Sequence, residues 1–310
     1  MTDSTTQAVY SYLGPAGTFT EDALRQVDPE HLGRWQPVTS VVQAIDDVAT
    51  GRSTHAVIPI ENSIEGGVSA TLDALATMPG VRILGERLVP ITFHLLARPG
   101  TTLSEVRHLT THPMSYPQCR TWLAGHLPEH DFLPAPSNAA AAASALHDQN
   151  IDAAIAGERV LDHYDLEVLA RDIGDNRNAV TRFVLLGPDR GLPAPTGADK
   201  TSLIAELPVD EAGALLRLLE QFSTRGINMT RIESRPIGDE LGRYRFNIDL
   251  EGHALDARVA EALRGVHRFS PNVVFLGSYP RATREACEPM PHQTNDDYKD
   301  AAQWYEALLQ

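Results

Sequence analysis

Asn178, Thr181, Arg182 and Phe183 crowd into one short stretch, Asn176-Arg177-Asn178-Ala179-Val180-Thr181-Arg182-Phe183. Its hydroxyl, guanidinium and amides could donate protons, hold an anion and orient a small substrate. The same residues suit a capped turn entering a core strand. Asp172, Asp175, Asn176 and Asn178 are turn formers, and Val180 to Leu186 runs apolar into Gly187-Pro188.

Other loops carry comparable chemistry. Gly14-Pro15-Ala16-Gly17-Thr18-Phe19-Thr20-Glu21 joins an apolar strand, Ala8 to Leu13, to a helix from Asp22 to Val27. Glycines there let the backbone approach a ligand, and free N–H groups at a helix start attract an anion. Thr18 and Glu21 have the spacing of a capping box. Glu61-Asn62-Ser63-Ile64-Glu65-Gly66-Gly67 follows a buried strand, Ala56 to Ile60, and leads into a helix from Val68 to Met78. Consecutive Glu61, Asn62 and Ser63 exceed what a turn requires, and ligands of α/β sheets sit beyond the carboxyl ends of strands. His112, after the strand His108 to Thr111, could act as a general base or as a satisfied structural group.

A chain of 310 residues predicts about two domains. With 42% hydrophobic and 22% charged residues it reads as a globular enzyme. There is no apolar run of membrane-spanning length, and the start, Met1 to Gln7, lacks a signal peptide's pattern, so a cytoplasmic location is expected. A net charge of −15 argues against a nucleic-acid surface. The cysteines, Cys119 and Cys287, and the 12 scattered histidines form no metal-like spacing. Lysines occur only at 200, in the stretch read as a linker, and at 299, in the tail. Neither position suits a Schiff base or a phosphate loop, and the chain is expected to work without metal or other cofactor.

The elements that would position these loops alternate. Helical periodicity spans Val38 to Val48, and Arg87 to Ala97 reads as one covered strand. The stretch from His112 to Cys119 opens a helix to about His126. Phe132 to Ala135, Asp152 to Ala156 and Leu166 to Ala170 are further strands, with Ser137 or Asn138 capping the alanine-rich helix 139–146 and Gly157-Glu158-Arg159 opening another. Residues 8–187 therefore imply a mostly parallel sheet system, and two such lobes with a cleft between them would suit a small ligand. A Pro- and Gly-rich linker, 188–199, separates this region from 200–280. There the order is Ser202 to Leu207 strand, Asp210 to Phe222 helix, Ile227 to Ile237 strand, a turn at 238–242, Arg243 to Leu250 strand, Ala257 to Arg264 helix and Val273 to Leu276 strand. This is the βαββαβ of a ferredoxin-like α+β fold. Residues 281–310 form a polar tail with a helix over 301–308.

In order along the chain, Gly14-Pro15-Ala16-Gly17-Thr18-Phe19, Pro59 to Gly66, Ala154-Ile155-Ala156-Gly157-Glu158 and Asn178 to Phe183 resemble the signatures of the prephenate dehydratase family. Gly213-Ala214-Leu215 and Glu233-Ser234-Arg235-Pro236 look like the phenylalanine-binding motifs of its C-terminal ACT regulatory domain. The chain departs from the family at Met114-Ser115-Tyr116-Pro117, between His112 and Gln118. The few residues before Ala8 are not expected to hold the chorismate mutase domain that many relatives carry.

The resemblance implies a two-lobed catalytic domain of periplasmic-binding-protein type that converts prephenate to phenylpyruvate, water and carbon dioxide without a cofactor. It implies Thr181 as the essential proton-handling residue, with Asn178, Arg182 and Phe183 beside it. Gly17, Thr18, Asn62 and Ser63 would hold carboxylates, with Gly66, His112 and Gln118 completing the substrate site. Arg182 or Arg177 would supply countercharge, and Glu61 would orient these groups or be structural. Phenylalanine would bind at 213–215 and 233–236 in a subunit interface and inhibit, making a homodimer or homotetramer the expected assembly. Arogenate dehydratase and a non-catalytic two-lobed carboxylate or amino-acid sensor are the other readings.

Overall fold

The computed structural model describes residues 7–208, 211–238 and 242–309. By its packing the chain divides into a first unit, Met1–Thr71 with Arg87–Leu185, and a second, Leu72–Glu86 with Leu186–Gln310. Among the described residues no helix is long and apolar enough to cross a membrane.

The first unit holds two lobes. In the first lobe, β1 (Val9–Leu13) leads to α1 (Phe19–Val27), β2 (Arg34–Val38), α2 (Val41–Ala49), β3 (His55–Asn62), the short β4 (Gly66–Gly67) and the start of α3 (Ser69–Thr77), whose residues from Leu72 on belong to the second unit. β1 pairs in parallel with both β2 and β3. The sheet is completed by β5 (Val81–Pro90) and by β11 (Val180–Pro188), in the order β2-β1-β3-β11-β5. β2 escapes a sequence reading because Arg-Trp-Gln-Pro-Val neither alternates nor runs apolar. Val38 therefore ends a strand, and Ser40 caps α2 by accepting from the Gln43 N–H at 3.1 Å.

The expected strand from Arg87 to Ala97 is two strands. β5 stops at Pro90, and β6 (His94–Ala97) begins the second lobe. Between them the Ile91 N–H donates to the Ala179 carbonyl at 2.8 Å and the Phe93 carbonyl accepts from the Ile173 N–H at 2.9 Å. The outgoing chain is thus laced to the returning one. The second lobe continues with β7 (His108–Thr111), α4 (Arg120–His126), β8 (Asp131–Pro134), α5 (Asn138–His147), β9 (Ala153–Ala156) and β10 (Glu167–Ala170), in the sheet order β10-β6-β9-β7-β8. β7, β8 and β9 are parallel, whereas β6 runs antiparallel to β9 and β10. Two stretches expected to open longer helices form 3₁₀ turns, at Tyr116–Cys119 before α4 and at Glu158–Asp162.

The alanine run of α5 has a purpose in packing. Ala139, Ala141, Ala142 and Ala145 are all buried, as is every residue of β9. Side chains of one carbon let helix and sheet approach closely. That approach fixes where the start of α5 falls.

The second unit contains β12 (Asp199–Glu206), α6 (Ala214–Ser223), β13 (Met229–Pro236), β14 (Tyr244–Glu251), α7 (Ala257–Phe269) and β15 (Val273–Pro280), the expected βαββαβ order. All its pairings are antiparallel, in the order β13-β14-β12-β15. Leu203, Leu218, Phe222, Ile248, Leu250 and Val259 fill the core between sheet and helices. Asp210, where α6 was expected to begin, and turn residues 239–241 lie outside the described residues. Lys200 is not in the linker but on β12, buried, with its Nζ 2.9 Å from Glu86. The final helix, α8 (Asn295–Leu308), is longer than expected because Thr294 and Asp297 form a capping box at its start.

Candidate active site

A cavity of about 300 Å³ lies in the first unit, at the small end of the roughly 300–1,000 Å³ typical of ligand pockets. Both lobes line it. Gly14, Gly17, Thr18, Phe19 and Thr20 at the start of α1 join Thr39, Pro59, Thr181 and Phe183 from the first lobe, and His112, Ser115, Ser137, Asn138 and Gly157 come from the second. Two helices, α1 and α5, therefore begin at its wall. Their first N–H groups have no intrahelical acceptor and carry the positive end of the helix dipole, so each start can hold an anion. No lysine or arginine lines the cavity among the described residues.

Thr181 is 7% exposed, and its hydroxyl oxygen accepts from Asn62 Nδ2 at 2.9 Å. The Asn62 carbonyl oxygen is occupied by the N–H groups of Ile64 at 2.8 Å and Glu65 at 3.3 Å. That occupancy fixes which end of the amide faces Thr181. Since Asn62 donates, the Thr181 proton is left to point elsewhere. Ser63 latches the loop to β11 from both sides: its N–H donates to the Val180 carbonyl at 2.9 Å, and its Oγ accepts the Val180 N–H at 3.0 Å.

Strand alternation separates neighbours on β11. Thr181 and Phe183 face the cavity, while Arg182, 6% exposed, turns away to Glu61, with 3.2 Å between Nη1 and Oε2. The expected countercharge from Arg182 is therefore spent elsewhere, and Glu61 answers that arginine. Arg177 and Asn176 line a separate cavity of about 240 Å³ with Ile91, Phe93 and Asp172. Asn178 is exposed, its N–H bonded to Asn176 Oδ1 at 2.9 Å. Beneath this segment the buried His94 accepts the Asp172 N–H at 3.1 Å, and burial lowers its pKa, which favours the neutral ring that accepts.

The start of α1 differs from the expected capping box. The Thr18 hydroxyl lies 3.1 Å from the Pro15 carbonyl and 3.3 Å from that of Leu13, so it caps its own loop. Glu21 reaches past Thr18 and accepts the Gly17 N–H at 2.7 Å. Gly17 makes this possible with a φ of 87°. The Gly17 N–H is thus not free for a substrate carboxylate; the first N–H groups of α1, which begins at Phe19, have no intrahelical acceptor.

In the second lobe, Ser137 caps α5 by accepting from the Ala140 N–H at 3.0 Å. Asn138 is a residue that sequence reasoning weighed only as an alternative cap. Its Oδ1 accepts the Ser115 hydroxyl at 3.0 Å and the His112 N–H at 3.2 Å, and lies 3.3 Å from the Thr111 hydroxyl, which donates more closely to the Ile155 carbonyl at 2.8 Å. The amide hydrogens are the half that remains for the cavity. Its position at the end of a strand and the start of a helix was the signal available. Ser115, inside the departure from the family pattern, serves this network, whereas Met114 is exposed. His112 accepts the Met114 N–H at Nδ1, 3.3 Å. Gln118 is off the cavity wall and bridges the lobes, its Nε2 3.0 Å from Glu65 Oε1. Gly66 turns the same loop in the left-handed region, φ 82°.

Residues 10–190 match the prephenate dehydratase family model and residues 201–268 the ACT domain model. A prephenate dehydratase from Corynebacterium glutamicum is 41% identical over 312 residues, covering 99% of this chain and 98% of that one. The structure of a prephenate dehydratase from Arthrobacter aurescens in complex with L-Phe is 48% identical with a TM-score of 0.93, covering 97% of this chain and 99% of that one. GqqA, described as a novel type of quorum-quenching acylase, is 29% identical with a TM-score of 0.78, covering 88% of this chain and 98% of that one. A family model spanning most of the chain and relatives matched along nearly their whole length agree: this chain belongs to the prephenate dehydratase family and carries an ACT domain.

Proposed function

We propose that the cavity between the two lobes converts prephenate to phenylpyruvate, water and carbon dioxide, with Thr181 as the catalytic residue. The observation that carries this reading is the Thr181 hydroxyl, already satisfied as an acceptor by Asn62, on the wall of a cavity where two helices begin. Prephenate has two carboxylates. The starts of α1 and α5, with Asn138 and His112, offer each a separate set of neutral donors. The electron pair of the bond to the departing carboxylate moves into the ring, the ring hydroxyl leaves, and an aromatic ring results. A threonine hydroxyl is a weak acid. It hydrogen-bonds to the leaving oxygen and hands over its proton only as negative charge develops there, the point at which a preorganised donor is worth most, and solvent returns a proton to Thr181 once water and carbon dioxide have left.

Binding the ring carboxylate through helix N–H groups rather than a cation has a chemical merit. An arginine held against the carboxylate that must leave would stabilise the charged ground state and oppose its loss. Arg182 is kept away by Glu61. Ser63, Gly66 and Gln118 support the loop that carries Asn62.

The second unit takes phenylalanine as a feedback inhibitor in this reading, at Gly213-Ala214-Leu215 and Glu233-Ser234-Arg235-Pro236. Gly213 caps α6 in the left-handed region, where a Cβ would meet no described atom within 4 Å. β13 is an edge strand whose residues alternate in exposure, suited to pairing with a second copy in a homodimer or homotetramer. A catalytic region of 8–187, linker, ACT region of 200–280 and tail remain the proposed functional division, with a cytoplasmic location. The test is to mix purified protein with prephenate and follow phenylpyruvate, with arogenate as the competing substrate. Faster turnover of arogenate would reassign the substrate, and binding without turnover would make the protein a sensor.

A further inference from the structure

Glu21 is 3% exposed, does not line the cavity, and yet gathers contacts from both lobes. Its Oε2 accepts the Gly17 N–H at 2.7 Å and lies 2.9 Å from Nε2 of His163, on the second lobe. Arg25 reaches its Oε1 at 3.3 Å and Asp162 at 3.2 Å. Beside this pair, Arg159 bridges Asp22 at 2.7 Å and Asp162 at 2.8 Å. The start of α1 is therefore clamped to the turn 158–163 of the opposite lobe by charged groups, with Glu21 the buried member.

Packing around the clamp leaves little tolerance. A Cβ on Gly17 would fall 3.2 Å from Val160, and one on Gly157 would fall 2.7 Å from the Phe19 ring. A glutamate at this helix position ordinarily reaches back to the cap residue's own N–H. Here it reaches one residue farther, to the peptide that precedes the cavity-lining Thr18, Phe19 and Thr20.

We propose that Glu21, held by His163, is a positioning residue for the reaction: it pins the Gly17 peptide so that the N–H groups at the start of α1 meet the substrate carboxylate with the lobes closed. The inference rests on the functional reading above. Because those N–H groups would hold the side-chain carboxylate, which keeps its charge in ground and transition states, losing the pin weakens binding more than it slows chemistry.

Glu21→Ala should raise KM for prephenate about tenfold or more, the scale of one hydrogen bond to a charged group, and lower kcat much less. Glu21→Gln keeps an oxygen for the Gly17 N–H and should recover most of that loss. His163→Asn should shift KM in the same direction as Glu21→Ala. In an amide NMR spectrum the Gly17 N–H of the wild type should be shifted downfield, and Glu21→Gln should move it upfield, a readout that general loosening would not single out. Should Glu21→Ala not fold, Glu21→Gln and His163→Asn decide by the same kinetics. Wild-type turnover with KM unchanged in every folded variant overturns this inference alone. Absence of prephenate turnover in the wild type overturns the functional reading and this inference with it.

Discussion

The two regions expected to bind small carboxylic acids are built on opposite electrostatic plans. Around Thr181 the cavity wall offers hydroxyls, amides and helix starts, and the nearest arginine on the strand is turned away to Glu61. Along β13 the motif is threaded with ion pairs. Arg231 holds Glu233 at 2.7 Å, while Arg235 and Arg245 both grip Asp73, at 2.8 Å and 2.5 Å. Neutral donors suit a site where a carboxylate's charge must be lost, because they oppose that loss less than a cation would. Exchangeable ion pairs suit a site where a ligand must compete for partners and so move them.

The largest effect should come from breaking the first plan at its centre. Thr181→Ala should lower kcat for prephenate by about 10²–10⁴-fold, the usual worth of a positioned proton donor, with the thermal midpoint little changed, and Thr181→Ser should retain more. Steady-state kinetics and a melting curve check both halves. Full activity in Thr181→Ala would refute the assignment. Next in size is Asn62→Ala, which leaves the hydroxyl in place but frees it to rotate. Losing one hydrogen bond of roughly 1–3 kcal/mol should cost about 10–10²-fold in kcat/KM.

The second plan is sharpened at Asp73. It lies on α3, directly downstream of the loop that carries Asn62, while Arg235 belongs to the stretch expected to meet phenylalanine. Asp73→Asn should therefore weaken inhibition by phenylalanine on the order of tenfold, within the range of measured couplings, and alter uninhibited turnover much less. Inhibition curves at fixed prephenate decide it; an unchanged curve would remove Asp73 from the route. Hydrogen bonding to Arg235, and then to Arg245, holds the Asp73 carboxyl below its ordinary value of 3.8 against the opposing effect of burial. A depressed folded-state pKa means that its contribution to stability is present above 3.8 and lost as the pH falls through the lowered value.

Much of this was legible in the chain. The order of α/β and βαββαβ elements follows from periodicity, and the loops at Gly14, Glu61 and Thr181 were found by their polar side chains beside apolar strands. What failed was direction. Arg182 stands next to Thr181 in sequence but on the other face of β11, and no local signal says that Glu61 waits for it. Thr18 and Glu21 have capping-box spacing, yet Gly17's left-handed backbone offers the glutamate a different N–H. Asn138 looked like a cap until the fold brought Thr111, His112 and Ser115 around its oxygen. β2 was missed because Arg34 to Val38 is recruited by its parallel pairing with β1 rather than by its own composition.

The smallest effect compares one residue type in the two units. Cys119 ends the 112–119 segment whose start lines the cavity, is fully buried, and has its thiol pushed up to about 12, chiefly by burial and further by the Asp175 carboxylate. A raised thiol pKa keeps the group neutral, so at pH 8 the reactive thiolate is on the order of 10⁻⁴ of the total. Cys287, half-buried in the second unit, donates to the Asp199 carbonyl at 3.2 Å and has the Arg281 guanidinium at 3.7 Å. A thiol reagent added to the native protein should therefore label Cys287 alone, with prephenate turnover unchanged, and label Cys119 only after denaturation. Mass mapping of the labelled peptides reads this directly. Fast native labelling of Cys119 would mean that the segment from His112 to Gln118 opens in solution, and the cavity wall it forms could not then be the preorganised one on which a weak acid such as Thr181 depends.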